Sequence, residues 1–371
     1  MIDLKLLRER INEIDEQMAA LFKERMETVS KVAEYKKEKG LPVLDSSREK
    51  AILDRFLSRD YDESFKKDLK DFLESEMFIS RRSQERLISK DLAPQKCSYS
   101  SAGFLGLEGS FSHKAFKSFF PESCQALGFP DFREIFHALK EGKIECAIVP
   151  VENTSTGGIN EIYDLMEEYG YYIIGEKCIR VEQSLLCLED AAEEDIAKVY
   201  SHPQAISQCK EFLQKHSLWQ LIPCHSTSEG ALKVSTSMDK HVACIASIDN
   251  ADTFRLKVLK ENISEDTNHT RFLVISRNMD YDLKSDKVSI ILSVAHTSGS
   301  LFKVLKHFEE NSANMLKIES RPVKGHPWEY HFFIDFTGNL NDEKTQRVLK
   351  GIEGDGLGLK LLGNYKGEVT W

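Results

Sequence analysis

The chain has 371 residues, with 50 Lys and Arg against 60 Asp and Glu and a formal charge of −10. That length predicts two or three domains, and the acidic balance leaves no basic footprint for nucleic acid, so an anionic ligand needs locally clustered Arg and Lys. No apolar run approaches the ~20 residues of a membrane helix, and the opening MIDLKLLRER lacks a signal-peptide core, which predicts no membrane association and a cytoplasmic location.

In chain order, residues 3–38 carry the clearest helix. Leu4, Leu7, Ile11, Ile14, Met18 and Leu21 recur at steps of three and four, and the stripe continues through Arg25, Thr28, Val32 and Tyr35. Gly40-Leu41-Pro42 should stop it. A second helix is expected from about Ser46, where Ser46 and Glu49 have capping-box spacing. A third spans about Ser64 to Ser89, with Phe65, Leu69, Phe72, Phe78 and Leu87 among its apolar positions. Residues 91–99 look like a linker. From residue 100, short apolar runs such as SAGFLG, IECAIVPV, SLLCL, KVYS, VACIA and RFLVIS alternate with amphipathic DFREIFHALKEG and PQAISQCKEFLQKH. That alternation predicts an α/β domain with mainly parallel strands. Beyond the charged NMDYDLKSD, the order strand, helix, strand, strand, helix, strand predicts a ferredoxin-like α+β unit. The eight cysteines are scattered without a C-x-x-C pair, which argues against zinc and redox motifs and predicts no metal site.

In the helical segment, Arg25 sits in mid-stripe. Arg8 lies one turn beyond Leu4, Lys36 one turn beyond Val32, and Ser80 and Gln84 share a face. Any one of these cations taken alone can be a side chain snorkelling to water. An Arg in the middle of an apolar stripe points instead to a buried anionic ligand, because an unpaired buried charge is expensive. Arg8 and Arg25 are 17 residues apart, about 25 Å along one helix, too far for one small dicarboxylate to bridge. Arg8 is therefore expected to serve the site of a neighbouring chain, in a dimer with swapped helices. The set Arg8, Arg25, Lys36, Asp45, Arg48, Glu49, Ser80 and Gln84 resembles the all-helical chorismate mutase family, over residues 1–90 and without departure at these eight positions. The resemblance implies that Arg8 and Arg25 hold two substrate carboxylates, Lys36 and Gln84 face the ether oxygen, and Arg48 and Glu49 lie near the hydroxyl. Glu49 has helix capping as an alternative role. Chorismate to prephenate is a pericyclic rearrangement that needs no cofactor; a folded conformer must be held and charge on the ether oxygen stabilised.

Three polar clusters interrupt the α/β segment: Gly106 to His113 (GLEGSFSH), Val149 to Gly158 (VPVENTSTGG) and Asn268 to Phe272 (NHTRF). Loops after strand ends gather around ligands in such folds, although Ser, Thr, Asn and Gly also serve turns and caps. Together with YSHPQAISQC and STSEGA, these motifs resemble prephenate dehydratase over about residues 101–280. The resemblance implies a two-lobed domain like the periplasmic binding proteins. It also implies a key hydroxyl on Thr270 and cleft positions for Ser110, Asn153, Thr154, Ser155, Ser201, His202, Gln204 and Arg271. Thr270 is too weak an ordinary acid, so its role is a hydrogen bond to the departing hydroxide. Arg271 either holds a substrate carboxylate or makes a structural ion pair. Leu107 replaces the usual Pro, and Phe254-Arg255-Leu256 stands where Tyr-Gly-Leu is usual, which puts the loop conformation at Arg255 in question.

Residues 288–371 resemble an ACT domain. Gly299, Ser300, Leu301 and Phe302 look like its GALV motif, and Glu319, Ser320, Arg321 and Pro322, followed by His326-Pro327-Trp328, its ESRP motif. Phenylalanine is the implied effector. The whole reads as a multidomain chain: an all-α mutase domain (1–90), a linker (91–99), an α/β two-lobed dehydratase domain (100–280) and an α+β ACT domain (288–371). It is expected to act on chorismate and prephenate without cofactor, as a homodimer or tetramer. Two rivals remain. A dehydrogenase would need a Rossmann fingerprint, and Gly354-Asp355-Gly356-Leu357-Gly358 lacks the strand–helix context for one. A non-catalytic aromatic-metabolite sensor would have no use for Thr270 or the mutase cations.

Overall fold

The computed structural model describes residues 4–39, 45–89, 99–264, 268–294, 298–323, 330–355 and 358–368. The expected helix stop at Gly40-Leu41-Pro42, the linker up to residue 98, and His326-Pro327-Trp328 lie outside them.

Contacts divide the chain into two compact units, one carrying the N-terminal helices and the other nearly all of the rest. The first contains α1 (Leu4–Lys39), α2 (Ser46–Leu57) and α3 (Glu63–Ser89). Ala33, Leu73 and Met77 are its buried apolar residues among those described. The capping expectation for α2 needs correction. Asp45 is the cap, its Oδ1 accepting the Arg48 N–H at 3.0 Å. Glu49 is then the fourth helical residue, one too far along to reach back to the cap, and its carboxylate turns to Arg81.

The second unit is built on three sheets. The first contains β1 (Ser101–Leu105), β2 (Gln125–Phe129), β3 (Cys146–Asn153), β4 (Gly157–Gly158) and β5 (Tyr172–Val181), interleaved with α4 (Phe111–Phe119), α5 (Phe132–Glu141) and α6 (Asn160–Tyr169). The chain then crosses to a second sheet of β6 (Ser184–Cys187), β7 (Lys198–Ser201), β8 (Gln220–Pro223), β9 (Val242–Ala246) and β10 (Lys257–Lys260). Its helices are α7 (Pro203–Gln208), α8 (Lys210–Gln214), α9 (Thr227–Ser237) and α10 (Asp249–Phe254). The amphipathic PQAISQCKEFLQKH is thus two short helices meeting at Cys209 rather than one. The chain returns through β11 (Asn268–Ser276), giving the strand orders β2-β1-β3-β11-β5 and β10-β6-β9-β7-β8.

The expectation of mainly parallel strands is corrected by this return. β11 enters the first sheet antiparallel to both β3 and β5, and β6 lies antiparallel to β9 and β10. Parallel pairing survives only where a helix intervenes, as in β1–β2, β1–β3, β7–β8 and β7–β9. The consequence is functional. β11 begins at the edge where β1 and β3 end, so Thr270 sits opposite Asn153.

The third sheet follows the expected order: β12 (Lys287–Val294), α11 (Ser300–Glu310), β13 (Met315–Pro322), β14 (Tyr330–Thr337), α12 (Glu343–Gly354) and β15 (Gly358–Tyr365), arranged β13-β14-β12-β15. It shares one apolar core with the first sheet, where Ile291, Phe333 and Leu362 pack with Val151, Tyr163 and Leu273. The described cysteines are unbridged, and all but Cys178 are buried.

Candidate active sites

The helical unit brings most of its predicted residues together. Arg25 on α1 reaches α3, where its Nε pairs with Glu76 Oε1 at 3.0 Å and Nη1 donates to Ser80 Oγ. Gln84, one turn on, is buried, and its Oε1 has no hydrogen-bond partner among the described residues. Lys36 lies within electrostatic reach of Asp45, Glu49 and Arg48, and burial pulls its ammonium below the ordinary lysine range against the two acids. Arg81 donates to both oxygens of Glu49. Arg8 is exposed and stays apart from this group. Glu76 and Arg81 escaped sequence reasoning, yet Glu76, Ser80 and Gln84 fall at i, i+4 and i+8, so the face shared by the last two already contained the first.

The second site lies where β3 ends and β11 begins. Asn153 Nδ2 donates to Thr270 Oγ1 at 2.8 Å. The amide is oriented by its own loop, since Asn153 Oδ1 accepts from Ser155 N at 2.9 Å and Thr156 N at 3.3 Å. Thr154 closes the other side: its N–H donates to the His269 carbonyl at 2.9 Å, and its hydroxyl accepts from His269 N at 3.0 Å and donates to Asn268 Oδ1 at 3.2 Å. Thr270 thus receives a hydrogen bond and keeps its own proton for another acceptor.

Ser110 caps α4 at the end of β1, accepting from His113 N at 3.2 Å. His113 accepts the Gly109 N–H on Nδ1 at 3.0 Å and stacks on Phe104, so a neutral Nε2–H tautomer is set. Burial, with Lys117, lowers its pKa against Glu108 and Asp249. The same loop meets the second sheet. The Gly109 carbonyl accepts from Asn250 Nδ2 at 3.0 Å and Ser247 Oγ at 3.2 Å, while Lys114 pairs with Asp249 at 3.1 Å. Gly109 has φ +82°, and a Cβ there would lie 2.5 Å from Asn250 Oδ1, so this approach requires glycine. His202 caps α7, its Nδ1 accepting from Gln204 N at 3.2 Å.

Two expected cleft residues are committed elsewhere. Ser201 has no exposed surface and donates to the Ile245 carbonyl at 2.6 Å, bracing β7 on β9. Arg271 follows Thr270 on a strand and therefore points to the opposite face. There its Nε pairs with Glu176 at 2.7 Å, its Nη1 with Asp335 at 2.7 Å, and its Nη2 donates to Tyr365 at 3.1 Å. Lys287 also holds Glu176, and Ser289 donates to Asp335, both at 2.5 Å. Of the two roles open to Arg271, this geometry supports the structural ion pair.

Residues 102–280 match the prephenate dehydratase family, and residues 7–124 match chorismate mutase type II. A bifunctional chorismate mutase/prephenate dehydratase of Aquifex aeolicus is 32% identical over 98% of this chain and 98% of its own length. The chain belongs to the bifunctional chorismate mutase/prephenate dehydratase family. Among solved structures, a prephenate dehydratase of Arthrobacter aurescens in complex with L-Phe superposes with TM-score 0.65 and 25% identity, over 72% of this chain and 90% of that one. A protein described as a quorum quenching acylase, GqqA, superposes with TM-score 0.66 over 72% of this chain and 98% of that one; at 24% identity it shares the fold.

In this member of the family, the C-terminal sheet presents its motif residues on two faces. Gly299 adopts φ +83° before α11, and Phe302 is exposed. On β13, Ser320 and Pro322 face outward, whereas Arg321 turns to Asp164 of α6 at 3.1 Å, and Lys317 to Glu152 at 2.7 Å. No helix of the described residues is long and apolar enough to cross a membrane.

Proposed function

We propose that the helical domain, residues 1–90, converts chorismate to prephenate. The two-lobed α/β domain, residues 100–280, then converts prephenate to phenylpyruvate, and an ACT domain from residue 288 senses phenylalanine. The observation that carries the second assignment is the Asn153–Thr270 pair. Prephenate must lose carbon dioxide and its ring hydroxyl together: the electrons of the C–carboxylate bond enter the ring, and the C–OH bond breaks. Thr270, its oxygen held by Asn153, donates its proton in a hydrogen bond to the departing hydroxide. Accepting from Asn153 makes the hydroxyl a better donor. Thr154 and Ser155 shape the loop; Ser110 follows β1, and His202 and Gln204 follow β7, at strand ends where the substrate carboxylates would bind. The chain crosses between the two sheets twice, which supports the resemblance to periplasmic-binding-protein lobes.

In the mutase site, Arg25 binds a carboxylate, Lys36 and Gln84 address the ether oxygen, and Glu49 and Arg48 the hydroxyl, with Asp45 and Ser80 in support. That Gln84 Oε1 has no partner among the described residues supports a group built to meet a ligand. Arg8 serves the partner's site in a dimer. The apolar stripe of α1 supports that reading: Leu7 is 50% and Leu21 66% exposed in the single chain. In the ACT domain, Gly299, Ser300, Leu301 and Phe302 face the effector, along with the segment Glu319, Ser320, Arg321 and Pro322. The strand order β15-β12-β14-β13 supports the ferredoxin-like reading.

A coupled assay tests the proposal. Chorismate should yield phenylpyruvate without a nicotinamide cofactor, and Thr270→Val should stop at prephenate. Phenylpyruvate formed by that variant at the normal rate would overturn the assignment of the second site.

A further inference from the structure

Two neighbouring rungs of the β3–β11 ladder differ in what they face. The first rung pairs Asn153 with Thr270, and the second pairs Glu152 with Arg271. Successive residues point to opposite sides of a sheet. The first rung makes the Asn153–Thr270 hydrogen bond. The second turns away from it and meets the C-terminal sheet twice: Glu152 with Lys317 of β13 at 2.7 Å, and Arg271 with Asp335 of β14 at 2.7 Å. A bulge at Val151 immediately follows, where Phe272 pairs with Pro150, so this rung is uncoupled in register from the regular ladder beyond it.

The charges are poorly placed to be surface decoration. Arg271 is 7% exposed, and Lys317 has a side chain 12% exposed. Buried pairs of this kind contribute little net stability compared with apolar packing, but breaking one is costly. A small cavity of about 20 Å³ lies between them, bordered by Tyr163, Arg271, Lys317, Phe333 and Asp335. The hydroxyl of Tyr163 has no hydrogen-bond partner among the described residues. The seam between the sheets is thus ionic and incompletely packed where it backs on to the Asn153–Thr270 pair.

We propose that the Glu152–Arg271 rung, tied to Lys317 and Asp335, is the element through which the C-terminal sheet sets the geometry of Asn153 and Thr270. Glu152 and Arg271 are positioning residues. They touch no substrate, and they act through the neighbours they share a backbone with. Lys317 lies two residues from Glu319, where the effector motif begins, so a shift of β13 on phenylalanine binding pulls directly on Glu152. This inference rests on the reading of the C-terminal sheet as a phenylalanine sensor.

The test uses the full chain, with phenylalanine as the probe. Phenylalanine binding is measured by calorimetry, and prephenate turnover with and without saturating phenylalanine. In Lys317→Met and Glu152→Gln, phenylalanine should bind within about twofold of the parent, while the ratio of free to inhibited rates falls at least about fivefold, the lower end of couplings between sites. The double variant should lose no more than either single, because both cut one link. Asp335→Asn, which keeps the shape of the side chain, should also weaken the ratio. A melting temperature lowered without change in the inhibition ratio would mean a merely structural role and would overturn the proposal. Variants inhibited as fully as the parent would do the same. Absence of phenylalanine binding in the parent would instead remove the sensor reading, and the proposal with it.

Discussion

Asn153 donates to Thr270 rather than the reverse: Asn153 Nδ2 lies 2.8 Å from Thr270 Oγ1, and the amide oxygen is already engaged by Ser155 and Thr156. Asn153→Ala should therefore lower prephenate turnover by about 10²-fold, the scale of losing one preorganised donor, with the mutase rate unchanged. Asn153→Asp should do no better. A carboxylate would accept the Thr270 proton and divert it from the leaving group. Initial rates of phenylpyruvate formation check both.

The helical site should fail independently. Arg25→Ala should cut chorismate turnover by at least about 10²-fold and leave conversion of supplied prephenate intact. Arg25→Lys should not rescue it, because Arg25 uses Nε toward Glu76 and Nη1 toward Ser80, which a point charge cannot reproduce.

Removing Arg271 should unfold rather than starve the enzyme. Burial alone would lower its pKa, but Asp335, Tyr365 and Glu176 outweigh burial and hold it charged. Arg271→Met takes from Asp335 its paired guanidinium and leaves Glu176 with Lys287, and should cost about 3–5 kcal/mol of stability, read by denaturant unfolding. An unchanged midpoint with a raised KM for prephenate would mean that Arg271 contacts substrate.

Acid should loosen the α/β domain before the carboxylates titrate. Burial depresses the pKa of both His113 and His202 below the ordinary value, and each accepts a backbone N–H on Nδ1. Their contribution to stability is fully present above the unfolded value of about 6.5, and it is lost as pH falls from there through the depressed folded value. Urea midpoints measured between pH 7.5 and 5 should fall, and His113→Gln should flatten part of the slope.

Arg255 holds φ +53° and ψ +53° at the end of α10, so the backbone keeps the left-handed turn at the position where glycine is usual. Relief of roughly 1–2 kcal/mol of left-handed strain outweighs the ~0.5–1 kcal/mol of extra chain entropy that glycine brings. Arg255→Gly should raise the thermal midpoint slightly, with turnover unchanged.

Much of this was legible in the order of residues. The period of α1 is local, and so are the alternation from residue 100 and the β-α-β-β-α-β run, because they depend on which face of one element is apolar. The motifs around Asn153 and Thr270 were visible for the same reason. Period two in a strand even implies that Thr270 and Arg271 face opposite ways. What covers the far face was not visible. Glu176 lies 95 residues before Arg271, and Asp335 lies 64 after it.

By itself the sequence indicated most of the elements and, through its motifs, the family, since backbone preference and side-chain type are properties of short segments. Only the tertiary structure decided that β11 returns antiparallel beside β3, that Ser201 and Arg271 brace the interior, and that Glu152 is bound to Lys317. Those outcomes depend on which distant surfaces bury one another. A buried charge takes whatever partner the packing delivers, and no local pattern names that partner.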